Sequence, residues 1–166
     1  MNALPVTLRA IRSDEFDAYQ RYFIAAYSEE IAENFGLDEE QAKCRANHEF
    51  QRCFPDGITT VDHDLMCIET EVDQLTQVVG YLWFSANLSE RSAFIYDFFV
   101  FAEYRSMGVG QQAIQQLEQK LAALGMEQIK LRVAFHNPRA LALYQKIGFT
   151  ITGYNMAKLI TDSEAL

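Results

Sequence analysis

Apolar and polar positions alternate over residues 6–11, "VTLRAI", the period of a strand with one buried face. The period then changes. In "DEFDAYQRYFIAAYSEEIAENF" the apolar positions Phe16, Tyr19, Phe23, Ala26, Tyr27 and Ile31 recur at helical spacing, with Ser13 or Asp14 suited to the N-cap. "DEEQAKCRANHEFQRCF" predicts a second helix that opens on acids, where the helix dipole favours them, and "FPDG" ends it. "DLMCIET" and "TQVVGYLWFSA" read as two strands of a hairpin, and "SAFIYDFFVF" as a third, rich in aromatic and β-branched residues. A helix follows with Val109, Ala113, Leu117, Leu121 and Leu124 on one face and Gly125 as its stop. "QIKLRVAF" predicts a strand. "NPRALALYQKIG" predicts a short helix with Asn137 at the cap, Pro138 in the first turn and Gly148 past the end. "FTITGYNMAKLI", residues 149–160, predicts a closing strand.

The expected order is therefore β-αα-βββ-α-β-α-β, an α/β or α+β arrangement in which an antiparallel meander is followed by crossover helices. No repeat, low-complexity segment or Pro/Gly/Ser linker interrupts it, so residues 1–166 are expected to form a single domain.

Charge and cysteine usage narrow the setting. The net charge of -9 argues against general nucleic-acid binding, which depends on neutralising phosphates. Residues 1–90 hold 17 acidic against 6 basic side chains, and residues 91–166 hold 6 against 8. That split suits a cationic substrate on one side and an anionic cofactor on the other; it also suits acidic helices that are simply well solvated. Cys44, Cys53 and Cys67 are odd in number and form no C-x-x-C pair, which fits free thiols in a reducing compartment. No stretch approaches a membrane span and the N-terminus lacks the pattern of a signal peptide, so a cytoplasmic location without membrane association is expected.

The stretch "EYRSMGVGQQA", residues 103–113, places two glycines at the start of a good helix. Glycine there costs backbone entropy. Crowding relief in a strand-to-helix turn is one reading. A dinucleotide fingerprint is a second, since "GVGQQA" matches G-x-G-x-x-A. It fails because "FAEYRSM" separates the strand from the first glycine, and "AFHNP" stands where the ribose-binding acid belongs. No GK[ST] follows either. The third reading is a diphosphate cradle, in which the unsatisfied amides of a helix N-terminus receive an anion and glycines let it come close.

Here the sequence resembles a known family. R-x-x-G-x-G after an aromatic strand is similar to the acetyl-CoA-binding motif of the GNAT superfamily of N-acetyltransferases. "HNPRALALYQKIGF" resembles its later motif, N-x-x-A-x-x-x-Y-x-x-x-G-F, filled by Asn137, Ala140, Tyr144, Gly148 and Phe149. The two blocks stand in the family's order with one helix and one strand between them. The resemblance covers residues 77–160 well, and the front third by helix pattern. It implies a GNAT-type fold: a central mixed, mostly antiparallel sheet with splayed central strands, flanked by about four helices. Family members commonly end in a two-strand hairpin, whereas this chain has room for one long strand; a bulge at Gly153 or a second subunit in a homodimer would manage the edge.

By the same resemblance, acetyl-CoA is the co-substrate and the acceptor is a small-molecule amine or a peptide amine. Direct transfer in a ternary complex is implied. Phe98, Phe99 and Val100 would offer main-chain hydrogen bonds to the pantetheine and thioester. Amides from Met107 through Gly108, Val109 and Gly110 to Gln111 would hold the diphosphate, with Arg105 adding charge. Asn137 would meet the pantetheine arm, and Ala140 belongs to the same block. Tyr144 matches the general acid that protonates the coenzyme A thiolate, a fitting donor for a phenol of pKa near ~10. A core tyrosine is the other reading of that position.

The base is less legible. Asp97 interrupts the apolar strand "FIYDFFVF", where a carboxylate must be paired or used. Alternation puts it on the face opposite Tyr96 and Phe98. It is either the group that accepts the amine proton or a hydrogen-bonded structural residue. Glu69, Glu71 and His136 are alternatives. His48 and His63 lack ligand-spaced companions, and no metal is expected. A non-catalytic acyl-CoA-binding or regulatory module of the same fold is the competing function.

Overall fold

The computed structural model describes residues 4–158 and 160. Residues up to Ala134 form one compact unit, and those from Phe135 onward form another.

The first unit is a mixed five-stranded sheet in chain order: β1 (Val6–Ala10), β2 (Asp64–Val72), β3 (Leu75–Asn87), β4 (Ser92–Val100) and β5 (Gln128–Leu131). The first three pairings are antiparallel and β4–β5 is parallel. Helices α1 (Ser13–Phe35) and α2 (Glu39–Cys53) cover one face through Tyr19, Phe23, Phe50 and Phe54, which pack with Cys67 and Trp83. Helix α3 (Val109–Ala123) covers the other, placing Val109 and Ala113 against Val6, Ile68 and Val79. The predicted helical face of α3 is buried as far as Leu121. Leu124 lies past the last turn and is exposed.

Neither Ser13 nor Asp14 caps α1. The cap position is Arg12, whose backbone N–H donates to Glu15 Oε2 at 2.8 Å. Arg9 holds Glu15 in place with two hydrogen bonds of 2.8 and 2.9 Å and also reaches Glu69. The guanidinium holds the Glu15 carboxyl well below its usual range, at about 2.

The outer edge of β1 is closed by side chains. Gln116 on α3 accepts from the Leu8 N–H at 3.0 Å and donates to the Val6 carbonyl, while Gln112 donates to the Leu4 carbonyl at 2.6 Å. An open strand edge is a template for association. Gln116→Leu strands two edge groups, and a lost hydrogen bond of this kind typically costs about 1–3 kcal/mol. We therefore expect a lower urea midpoint and greater self-association for Gln116→Leu. The exposed neighbour Gln115→Leu should change neither.

Two expectations about strands fail. β5 stops at Leu131 rather than running to Phe135, and the described residues from 149 onward (149–158 and 160) form no strand; Leu159 lies outside the described residues. Alternation specifies which face a strand would bury but supplies no partner. The unit from Phe135 onward has no strand of its own to pair with among its described residues. Its one regular element is α4 (Pro138–Lys146), capped as predicted: Asn137 Oδ1 accepts the Ala140 N–H at 3.1 Å.

Candidate active site

The ladder between β4 and β5 runs from Ser92↔Gln128 to Ile95↔Leu131 and ends there. From Asp97 to Val100, β4 continues with β3 as its strand partner. The parallel ladder therefore ends at Leu131 while β4 runs on, at the C-terminal ends of two parallel strands and beside the loop that leads into α3. Gly80 lets β3 stay close at this level, because a Cβ on it would collide with the Phe99 carbonyl.

A bulge sets what faces this region. Trp83 pairs with Asp97 and Phe84 with Ile95, so Tyr96 is the extra residue on β4. Simple alternation, which put Asp97 and Tyr96 on opposite faces, is thereby broken. Tyr96 stacks on Trp83, with centroids 4.8 Å apart, and Trp83 belongs to the α1–α2 cluster. Asp97 turns to the same face, where Tyr19 donates to its Oδ2 at 2.9 Å and Tyr22 to its Oδ1 at 3.4 Å. The opposition of Asp97 and Phe98 does hold: Phe98 and Val100 pack on the α3 side, while Phe99 packs against Tyr22 with ring centroids 4.7 Å apart.

Asp97 retains some solvent access but is crowded by protein atoms. That desolvation pushes its carboxyl up to about 6, against the opposing pull of the hydrogen bonds from Tyr19, Tyr22 and the Phe98 backbone. Of the alternatives, Glu69 is held by Arg9 and Glu71 is exposed. His63, not one of them, accepts at Nδ1 from Trp83 Nε1 at 3.0 Å, an aromatic setting whose burial lowers its pKa.

The glycine stretch forms a tight turn in which Ser106 and Gly108 both have left-handed backbones, at φ 63° and 79°. Gly108 caps α3, and the Gln112 N–H closes the first turn onto its carbonyl at 3.1 Å. The amides of Val109, Gly110 and Gln111 have no acceptor within the helix at that end. Gly108 is thus required by the turn itself. Gly110 lies inside the helix, where the backbone has no need of glycine, and its missing side chain would let an anion come close to the amides. Met107, between Ser106 and Gly108, is exposed. These are the features a diphosphate would need, and the residues present fit one. Arg105 anchors the turn to the strand: its Nε donates to the Val100 carbonyl at 2.7 Å, and its guanidinium lies 5.1 Å over the Phe99 ring.

In the second unit, Tyr144 is buried on α4 and meets Phe149 edge-on, with centroids 5.6 Å apart and planes at 66°. The Phe149 N–H donates to the Tyr144 carbonyl at 2.9 Å, closing the helix end. Asn137, Ala140 and Tyr144 are therefore brought together on one short helix. Tyr19 and Tyr22 were missed at the level of sequence, where Tyr19 read as an apolar position of an amphipathic helix and Tyr22 was not singled out. Among the described residues no cluster of three or more His, Cys, Asp or Glu is arranged to hold a metal, and no helix is long and apolar enough to cross a membrane.

Comparison with known proteins agrees with this picture. Residues 12–149 match the model of the Acetyltransferase (GNAT) family. The uncharacterized N-acetyltransferase YycN of Bacillus subtilis is 30% identical over 157 residues, covering 93% of this chain and 99% of that protein. Its crystal structure superposes with a TM-score of 0.85, covering 95% of this chain and 100% of YycN. The thialysine N-epsilon-acetyltransferase of Bos taurus is 34% identical over 74 residues, 43% of this chain and 44% of that protein. A spermidine N-acetyltransferase from Vibrio cholerae, solved with CoA and spermine, shares the fold at 18% identity and a TM-score of 0.66, covering 95% of this chain and 88% of its own.

Proposed function

The chain belongs to the acetyltransferase (GNAT) family, and from that premise we propose that it moves an acetyl group from acetyl-CoA to a cationic primary amine by direct attack in a ternary complex. The observation that carries this reading is the early end of the β4–β5 ladder at Leu131 while β4 runs on, with Asp97 on that continuing stretch and the amide-rich turn following it in the chain.

In this reading the thioester arm lies along Phe98, Phe99 and Val100, and the diphosphate rests on the amides from Met107 to Gln111. Arg105, already tied to the end of β4, adds positive charge beside it. Asn137 contacts the arm. The amine nitrogen bonds to the thioester carbonyl carbon as the carbon–sulfur bond breaks. For this attack Asp97 first takes one proton from the bound ammonium, which frees the nitrogen lone pair. Tyr144 gives its hydroxyl proton to the departing thiolate, and the second proton released by the nitrogen passes to solvent, from which Tyr144 is reprotonated. The enzyme works as one acetyltransferase domain, and its free cysteines suit the cytoplasm.

Coenzyme binding has a clean probe in Gly110. Gly108→Val would disturb a left-handed turn whether or not a ligand binds there, but a helical residue at 110 needs no special backbone. Gly110→Val should keep the fold and lose the rise in melting temperature that saturating acetyl-CoA gives the wild type. An equal rise in both proteins would remove the diphosphate from this turn.

The acceptor class is argued from the acidic first half of the chain, whose field concentrates cations. Two of the similar proteins act, by name, on thialysine and spermidine, both cationic amines. Such steering is screened over about 10 Å at 0.1 M salt. In a survey of amines with acetyl-CoA, polyamines, aminoglycosides and lysine-like amines should lead, and their kcat/KM should fall as salt rises. A neutral or anionic best acceptor whose kcat/KM ignores salt would refute the cationic assignment.

A further inference from the structure

The carboxylate of Asp97 is held unequally by its two phenols. Tyr19 is fully buried and donates to Oδ2 at 2.9 Å, a full hydrogen bond. Tyr22 is half-buried and its 3.4 Å contact with Oδ1 lies at the limit of hydrogen bonding. Tyr19 is itself immobilised on every side by Tyr22, Phe23, Phe50 and Tyr81, with ring centroids 5.0 to 6.2 Å away. The Phe98 backbone N–H also bonds to the carboxylate. Oδ2 is therefore held by a phenol buried among packed rings, while the side-chain contact to Oδ1 is long and weak. We infer that Tyr19 is a positioning residue for the transfer reaction: it orients the Asp97 carboxylate and keeps Oδ1 available to the incoming amine.

This rests on Asp97 as the proton acceptor. Ammonium donors form bonds of about 2.7–2.9 Å to carboxylates, so a bound amine displaces Tyr22 from Oδ1 without disturbing Tyr19. The groups facing this carboxylate are Tyr19, Tyr22 and Glu30 from α1 and the Phe98 backbone N–H from β4, and Tyr81 from β3 lies against both tyrosines. Arg105 reaches the same cluster through Tyr22 and Phe99. Burial and the adjacent carboxylate push both phenols above their ordinary range, so they remain donors wherever Asp97 titrates.

The test is a carbon-13 NMR titration of the Asp97 carboxyl in the full chain, its signal identified by loss in Asp97→Asn. A hydrogen bond to the charged form lowers an acid's pKa. Tyr19→Phe should raise the midpoint by about one to two pH units, and Tyr22→Phe by clearly less. The acid limb of kcat/KM, measured with acetyl-CoA and the best amine of the survey, should move with it. In the wild type the Tyr19 hydroxyl proton should be protected from exchange and should shift as Asp97 titrates, a measurement that needs no variant. A midpoint unmoved by Tyr19→Phe, or a hydroxyl signal indifferent to the titration, overturns the inference. If the carboxyl midpoint moves while the kinetic limb stays, Asp97 is not the base, and Tyr19's role in transfer falls with it.

Discussion

Asp97→Asn should lower kcat/KM by about 10²–10⁴-fold, the usual contribution of a general base, and should raise the melting temperature above pH 6. The two effects have one cause. Crowding lifts the Asp97 carboxyl from 3.8 to about 6. The folded protein therefore binds this proton more tightly than the unfolded chain does. The resulting stabilisation is complete below about pH 3.8 and is lost as pH rises through about 6. Above that, an ionised carboxylate sits where its charge is poorly solvated, at a cost on the order of 2–3 kcal/mol before solvent access is allowed for. Asparagine carries no charge at any pH and keeps an oxygen for Tyr19. The variant should thus be more stable than wild type by several degrees at pH 8, with the difference shrinking toward pH 4. A carboxylate kept only for structure gives the opposite pattern: Asp97→Asn would be destabilised at pH 8 and would turn over normally.

Tyr144→Phe should lower kcat by about 10²–10⁴-fold with little change in acetyl-CoA affinity. The ring packs edge-on against Phe149, and phenylalanine preserves that contact while deleting one hydroxyl. What is lost is the proton for the leaving thiolate. Turnover at the wild-type rate, with chemistry shown to be rate-limiting, would make Tyr144 a packing residue.

The helices and the meander strands were readable because burial imposes period. Tyr19, Phe23 and Ile31 mark the inner face of α1, and Val109 to Leu121 that of α3. The two motif blocks were readable because glycines at a helix start and an Asn-Pro helix entry carry local backbone meaning. What could not be read depends on register or partner. The bulge at Tyr96 inserts one residue and turns Asp97 to the face of α1, and no alternation pattern announces such an insertion. Tyr19 and Tyr22 look like core tyrosines until the strand opposite them is known to present a carboxylate. Gln112 and Gln116 close the edge of β1, a role that no hydrophobic period announces. The alternating residues after Gly148 predicted a strand that the described residues do not form, because alternation says nothing of what it would pair with. Gly108 and Gly110 also separate only in three dimensions: Gly108 has the left-handed backbone of the turn, and Gly110 is an ordinary helical residue.

Direct transfer in a ternary complex makes the sharpest demand on the chemistry, and a rapid-quench single turnover with labelled acetyl-CoA meets it. Enzyme mixed with acetyl-CoA alone should hold intact thioester and no acetylated protein. Addition of the preferred amine should release coenzyme A and form acetylated amine at one and the same rate, and varying both substrates should give intersecting initial-rate lines. An acetylated protein that forms before the amine is added and decays when it arrives, with parallel lines, would contradict the account.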